Sequence, residues 1–324
     1  MDPVLHELSV APSVAATQDR LRTLALTLQS LDGVGLARVL RRTRDALDRC
    51  VEGEVPLREA LLKHPHREQR SFLLNRLSRA PFVEDMHRDQ EDAARSMIEG
   101  AIGGVGCRGA VFAYLTHAPA VSLSGEDAWE TDALVVALTR MRTEAPPGDE
   151  ATTDAPLETE DVEVLQVATP THVTRSEKHL RERVLRAVST GKELWGLRSD
   201  LFPRLDFGLD VEEQLAALSD ADLGFNHVVD ALARLDASLR AWVDGPLEPG
   251  MKFSPESAST LNDSTYGPRR DFRCADGQTL RFSLHLKLFA GNRRIYYAPR
   301  RFEGEGRAHV GYVGPHLATT KYPT

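Results

Sequence analysis

The periodicity of the apolar residues changes after Gly250, and this change limits the possible folds most strongly. Upstream, leucines that begin at Leu21 recur at helical spacing. Downstream, four short runs have strand composition: 269–274, 279–289, 293–299 and 307–313. The pairs Asp-Gly, Gly-Asn and Glu-Gly lie between these runs, and Asp-Gly between two strands is typical of a β-hairpin. We therefore predict a four-stranded antiparallel meander, covered by a preceding helical pair at 211–218 and 226–242.

Charge is distributed unevenly along the chain. The tail from Gly250 holds twelve Lys or Arg residues and six acidic residues, so its net charge is +6. The whole chain carries −8, which leaves −14 for the preceding residues. Such a split indicates a segment that binds a polyanion. Docking of the basic tail onto the acidic part of the same chain would explain the split equally well, and both interpretations stay open.

The first 175 residues have the pattern of a separate α/β domain. The chain up to residue 77 is predicted to be helical, and apolar runs follow at 120–124, 133–138 and 162–167. Apolar runs without polar alternation are typical of strands buried on both faces. The stretch 144–161 contains seven acidic residues and no basic one, so we predict a long acidic loop inside this domain. Residues 176–324 are predicted to form a second, α+β domain.

Several classes of protein are excluded by composition. Three distant cysteines without a Cys-x-x-Cys pair argue against disulfides and thiolate zinc sites, and they predict a cytoplasmic protein. No apolar run reaches 18 residues and no secretory signal is recognisable, so no membrane partner is expected. The segment Gly104–Gly109 matches the spacing of a dinucleotide-binding loop, but it follows a predicted helix instead of a strand. We predict a helix end there and no cofactor.

Two groups of possible metal ligands are interpreted as structural. The stretch from Glu84 to Asp92 is acidic, but on a helix Glu84, His87 and Glu91 share one face while Asp85, Asp89 and Asp92 share another. The carboxylates therefore do not converge, and no metal site is predicted. His64 and His66 flank a proline and are interpreted as part of a surface loop.

The basic meander carries the best candidate site. Strand alternation predicts one face with Arg281, Ser283, His285 and Lys287, and the opposite face with Phe282, Leu284, Leu286 and Leu288. The next two strands add further polar side chains: Arg293, Arg294, Tyr312 and His316. Arginine and lysine can bind a phosphate, while histidine supplies an acid or a base near neutral pH. The competing interpretation is a solvated sheet face with no function.

Two segments of this meander resemble the sheet of the RelE/ParE toxin superfamily. They are the thirteen residues from His285 to Tyr297, which include Arg-Arg-Ile-Tyr, and the run Val-Gly-Tyr-Val-Gly-Pro-His that ends at His316. The resemblance covers about 40 residues. It implies two helices on a small antiparallel sheet and, in the ribonuclease branch, RNA cleavage without a metal.

The resemblance also implies roles for particular side chains. His285 or His316 would transfer protons, and Tyr312 would orient the substrate or donate a proton. Lys287, Arg293 and Arg294 would stabilise the phosphate, and Arg281 would extend the basic face.

Two hypotheses about function follow. The first is a toxin-like or defence-associated prokaryotic protein that acts on RNA or another polyanion, as a metal-independent endoribonuclease in its catalytic form. The second is a non-catalytic subunit of a multiprotein defence complex, in which the basic sheet docks a protein or a nucleic acid. The sequence does not separate the two.

Overall fold

A computed structural model describes residues 2–36, 39–85, 99–141, 157–218, 224–288 and 292–322. The chain has mixed α and β content and divides into two compact units, Met1–Val184 and Leu185–Thr324. Most of the predicted acidic loop lies outside the described residues, as do His87, Asp89, Glu91 and Asp92. Each unit is described by itself.

The first unit is built on one seven-stranded sheet. Its strands are β1 (Val4–Leu5), β2 (Arg41–Arg42), β5 (Glu99–Ile102), β6 (Val105–Gly106), β7 (Ala120–Val121), β8 (Ala133–Met141) and β9 (Leu157–Val167), while β3 (Cys50–Glu52) and β4 (Val55–Pro56) form a separate ribbon. The strand order is β2-β1-β7-β9-β8-β5-β6, and β2, β1, β7 and β9 run parallel. The helices are α1 (Thr17–Gly33), α2 (Leu57–Leu62), α3 (Arg67–Ser78), α4 (Arg108–Leu115) and α5 (Pro170–Ala187).

This mixed sheet, whose strands β2, β1, β7 and β9 are parallel, fits the predicted α/β character. Val4, Leu5 and Val121 have no exposed surface, as expected for strands covered on both faces. Strand β8 differs from the prediction, because Val135 is 56% exposed while Val136 is fully buried. This strand therefore alternates between a solvated face and a buried face.

The predicted helix up to residue 77 is wrong in its middle part. Strand β2 and a short 3-10 helix, Arg44–Leu47, occupy the region that follows α1. The guanidinium of Arg42 is buried, donates to the carbonyls of Leu77 and Thr43, and lies 4.8 Å from the ring centre of Phe82. Sequence pattern alone does not distinguish an arginine whose guanidinium is hydrogen-bonded inside the fold from an arginine on a solvated helix face.

Two further expectations for the first unit are corrected. Gly103 and Gly104 both have positive φ and form the turn between β5 and β6, so the glycine-rich segment is a hairpin and not a helix end. Residues 157–161 of the predicted acidic loop belong to β9. They pair with β8 through ladder contacts that include a hydroxyl hydrogen bond between Thr139 and Thr159.

The second unit combines four helices with a five-stranded sheet. The helices are α6 (Gly191–Leu201), α7 (Val211–Ala216), α8 (Phe225–Ala241) and α9 (Ala258–Asn262). The sheet has the order β10-β16-β15-β14-β11, with β10 (Leu205–Phe207), β11 (Phe253–Pro255), β14 (Leu284–Lys287), β15 (Arg293–Phe302) and β16 (Glu305–Pro315). Strand β10 is parallel to β16, and the other pairs are antiparallel.

Local chemistry explains where these elements begin and turn. Helix α6 begins with a capping box, in which the Thr190 hydroxyl accepts from the Glu193 amide while the Glu193 carboxylate accepts from the Thr190 amide. Strands β15 and β16 are joined at Glu303 and Gly304, which both have positive φ. The buried face of α8, with Val228, Leu232, Leu235 and Leu239, packs against β16.

The predicted four-stranded meander is wrong in its first half. Strands β14, β15 and β16 are consecutive and antiparallel, but β12 (Asp271–Arg273) and β13 (Thr279–Arg281) form a separate two-stranded hairpin. Phe272 and Phe282 explain the separation. Their rings contact each other at 5.3 Å, and Phe272 also contacts Tyr296 and Tyr312 on the sheet. The hairpin thus covers part of one sheet face and does not extend the sheet.

None of the helices within the described ranges combines the length and the apolar character that crossing a membrane requires.

Candidate functional site

The register of the sheet brings several predicted residues onto one face. His285 lies opposite Tyr296, which lies opposite Tyr312, and Lys287 lies opposite Arg294. Side chains that are directly opposite in antiparallel strands project to the same side and lie close together. The candidate site is therefore a layer of aromatic and imidazole groups beside a pair of cations.

A pocket of about 250 Å³ opens at the cationic end of this face. It is lined by Lys252, Lys287, Leu288, Asn292 and Arg294. Lys252 lines the pocket because β11, which begins just after it, pairs with β14. The Lys252 carbonyl accepts a hydrogen bond from the Lys287 amide at 3.0 Å. Three basic side chains on a small pocket form a site that suits a phosphate.

Arg294 is the most enclosed of the three cations. Burial lowers the pKa of its guanidinium from the ordinary value. One of its terminal nitrogens donates to the Arg293 carbonyl at 2.8 Å, and its Nε makes no hydrogen bond within the described part of the chain. Arginine remains charged in proteins despite such shifts, so Arg294 presents a fixed positive charge to the pocket.

His316 lies next to a residue that lines the pocket. Its amide donates to the carbonyl of Asn292 at 2.9 Å, which ties the segment after β16 to a pocket residue. The side chain is half-buried. Burial, followed by the charge of Arg294, lowers the pKa of His316 below its ordinary value. The imidazole is therefore mostly neutral at pH 7 and is able to accept a proton.

His285 is buried, contrary to the predicted exposed basic face. It is 5% exposed, and its Nδ1 lies 3.7 Å from the Glu256 carboxylate. Burial lowers the pKa of His285 to about 4, although the charge of Glu256 acts in the opposite direction. The prediction failed because the β12–β13 hairpin and the segments around it cover this part of the sheet, and strand alternation cannot anticipate a second layer.

The other predicted site residues have different surroundings. The guanidinium of Arg281 donates twice to Asp271 at 2.7 Å, on the separate hairpin and outside the sheet. The Tyr312 hydroxyl donates to the Pro315 carbonyl at 3.0 Å, and burial raises the pKa of Tyr312. Arg293 adjoins Arg294 on β15, so its side chain projects from the opposite face. Of the predicted site residues, the pocket therefore gathers Lys287 and Arg294, and the His316 amide is bonded to the pocket residue Asn292.

The sequence analysis missed four residues of this region. Three of them, Glu256, Arg270 and Tyr296, form a buried polar cluster, with Arg270 and Tyr296 fully buried. Burial, followed by the hydrogen bond to Glu256, raises the pKa of Tyr296. Glu256 is the first acid of the basic tail, and its sequence context carries no signal of burial. The fourth, Lys252, was missed because it precedes a strand of three residues.

The far end of the same sheet face is already neutralised. Asp206 accepts from Arg300 at 2.8 Å and from Arg307 at 2.7 Å. Burial alone would raise the pKa of Asp206, but the hydrogen bonds from the two arginines outweigh it and lower the pKa. These two arginines are therefore paired with Asp206, while Lys252, Lys287 and Arg294 line the pocket.

In the first unit, the residues that were considered as possible metal ligands make structural contacts instead. His64 is 1% exposed and lies within hydrogen-bonding distance of Gln18 and Gln69, so the surface-loop interpretation is wrong for His64. The Glu84 carboxylate accepts from the Arg44 amide and pairs with Arg108. Among the residues that the structure describes, no three His, Cys, Asp or Glu side chains are grouped so as to hold a metal ion.

A second polar cluster lies at the carboxyl ends of the parallel strands. His6 Nε2 is 2.7 Å from the Ser122 hydroxyl, and Glu7 accepts from two amides at the start of α4. Burial lowers the pKa of His6 to about 3 and raises that of Cys107 to about 12. A neutral, fully buried imidazole and a protonated thiol are typical of a satisfied core and not of a nucleophile.

Comparison of the chain with protein-family models, with characterised proteins and with solved structures finds no match.

Proposed function

We propose that the second unit binds RNA by the phosphates of its backbone, at the pocket formed by Lys252, Lys287 and Arg294. The observation that carries the proposal is the convergence of these three basic side chains on one small opening, with His316 hydrogen-bonded through its amide to the pocket residue Asn292. Arg300 and Arg307, at the far end of the same sheet face, are paired with Asp206. The protein would then be a toxin-like or defence-associated prokaryotic protein.

The pocket supports a metal-independent cleavage step. His316, neutral at pH 7, would take the proton of a ribose 2′-hydroxyl, and the 2′-oxygen would attack the adjacent phosphorus. The bond from phosphorus to the 5′-oxygen breaks, which gives a 2′,3′-cyclic phosphate and a 5′-hydroxyl. Lys287 would return a proton to the leaving oxygen, since burial lowers the pKa of both histidines and favours their neutral forms. Arg294 and Lys252 would stabilise the negative charge that builds up on the phosphate.

A relationship to the RelE/ParE superfamily is part of this proposal. It is supported by α7 and α8, which precede the sheet, and by the antiparallel order of β14, β15 and β16. The parallel strand β10 and the edge strand β11 go beyond the expected small sheet. The burial of His285 shifts the proposed proton acceptor to His316.

Docking without catalysis is the second candidate function. Two of the three predicted catalytic side chains favour it: His285 is buried, and the Tyr312 hydroxyl is engaged by the Pro315 carbonyl. In that case the pocket would bind an acidic side chain or a phosphate of a partner and would cleave nothing.

Incubation of the purified protein with labelled single-stranded RNA and the matching DNA, with EDTA present, separates these functions. We expect cleavage of RNA and not of DNA, and a loss of at least about tenfold in rate for Lys287→Gln. Arg281→Gln is the matched control, because it also removes one exposed positive charge. Binding of RNA without cleavage would favour the docking function, and absence of RNA binding would refute the proposal that the pocket binds and cleaves RNA.

A further inference from the structure

Arg270 holds the segment that follows His316. Its guanidinium has no exposed surface and donates to the Ala318 carbonyl at 2.7 Å and to the Leu317 carbonyl at 3.3 Å. A third hydrogen bond goes to the Tyr266 carbonyl at 3.1 Å. The two residues after His316 are thus fixed by one planar, rigid group.

Glu256 holds Arg270 from the other side. Its Oε1 accepts from Arg270 Nε at 3.3 Å and Nη2 at 3.2 Å, and from the Tyr296 hydroxyl at 2.5 Å. The same oxygen lies 3.7 Å from His285 Nδ1. The Glu256 side chain is 4% exposed, so one nearly buried carboxylate anchors a guanidinium and a phenol.

Such a pair is not explained by stability. Removing two charges from water costs about as much free energy as their mutual attraction returns, and apolar residues of the same volume commonly stabilise a core equally well or better. The pair does provide directional contacts, and these contacts reach the two residues that follow His316.

We propose that the Glu256–Arg270 pair is the positioning device of the phosphate pocket, which fixes His316 through the two carbonyls that follow it. Neither residue of the pair touches the substrate in this arrangement. The proposal rests on the proposed function, since it assigns to His316 a task at the pocket.

Electrostatics give the proposal an independent readout. The charged groups near His316 are Arg294 on β15, Lys287 on β14, Arg270 in the 3-10 helix Gly267–Arg270, and Glu256 after β11. Burial is the main cause of the lowered pKa of His316; the three cations lower it further, and Glu256 raises it. The two members of the pair therefore shift the pKa of His316 in opposite directions.

The test is a histidine NMR titration of the full chain, with the His316 signal assigned by its loss in His316→Gln. We expect Glu256→Gln to lower the pKa of His316 and Arg270→Gln to raise it. Each shift should reach at least about 0.3 unit, which is the effect of one charge roughly 8 Å away in a water-like dielectric. Shifts of the same sign, or none, would overturn the proposal.

Rate measurements on the same variants test positioning directly. Both variants should lower kcat for RNA by at least about tenfold while KM changes by less than about twofold, because the three cations of the pocket remain. A loss confined to KM would contradict a positioning role. Tyr296→Phe, which removes one hydrogen bond to Glu256 and leaves both charges, should give a smaller loss of kcat of the same kind.

A single substitution leaves one buried charge without its partner and can prevent folding. The double variant Glu256→Gln, Arg270→Gln removes both charges at once and keeps the test decisive. Folded protein that retains full kcat would refute the positioning role. If the wild type neither binds nor cleaves RNA, the proposed function fails. The opposite pKa shifts of His316 in Glu256→Gln and Arg270→Gln would still decide whether the pair acts on His316.

Discussion

The salt dependence of RNA binding follows quantitatively from the composition of the pocket. Three cations, Lys252, Lys287 and Arg294, line it, and each phosphate that they neutralise releases condensed counterions. For a single strand the slope of log K against log salt is roughly −0.7 per neutralised phosphate charge, so three cations predict a slope of about −2. Affinity should then fall roughly 18-fold between 50 and 200 mM salt.

Removing one cation tests this estimate. Lys287→Gln should flatten the slope by about 0.7, so that the same change of salt weakens binding only about 7-fold. The assay is fluorescence anisotropy of a labelled single-stranded RNA, titrated with protein at four or more salt concentrations. Arg281→Gln should leave the slope unchanged, because that guanidinium is paired with Asp271 outside the sheet.

Two results would refute the reasoning. A wild-type slope near zero would show that the pocket cations do not meet phosphates. An equal flattening by Arg281→Gln and Lys287→Gln would show that the protein binds RNA through its general positive charge and not through the pocket.

Three other perturbations test separate parts of the structure. If His316 is the proton acceptor, its lowered pKa predicts that the cleavage rate increases as pH rises through a value below 6.5 and is level at pH 7. A cleavage rate that rises steeply above pH 7 would argue against this role. Gly311→Ala places a methyl group 2.8 Å from carbons of Phe272 and Phe282 and should destabilise the fold by about 1–3 kcal/mol in chemical denaturation, whereas an unchanged midpoint would contradict this packing. His285 is neutral in the folded protein, and it takes up a proton more readily when the protein unfolds. The free energy of unfolding should therefore fall by up to about 1.4 kcal/mol per pH unit as pH falls from 6.5 towards 4. His285→Gln should reduce that pH dependence.

Local patterns predicted the elements of the second unit better than their arrangement. Alternation and turn residues were sufficient for β15 and β16, because these strands are long and their turn needs positive φ at two residues. The interruption between β13 and β14, at Phe282, was not predictable from the local pattern of residues. It depends on contacts with Tyr296 and Tyr312, which become neighbours only when the sheet forms.

The same limit explains the candidate site. Lys287 and Arg294 could be predicted as neighbours, since a hairpin sets their register. His285 was misplaced because the layer that buries it comes from Arg270 and Glu256, which are distant in sequence and carry charges that usually indicate exposure. A buried ion pair leaves no spacing signal in one sequence, so Glu256 and Arg270 could be found only from the structure.

An NMR titration with RNA tests the central claim, binding at the pocket, most directly. A short single-stranded RNA is added to the protein while the ring signals of His316 and His227 are followed. His227 is an exposed histidine on α8 of the same unit and serves as the internal control. The account predicts that the His316 signal shifts with saturation while the His227 signal stays in place. Saturable binding that leaves the His316 signal unmoved would contradict it.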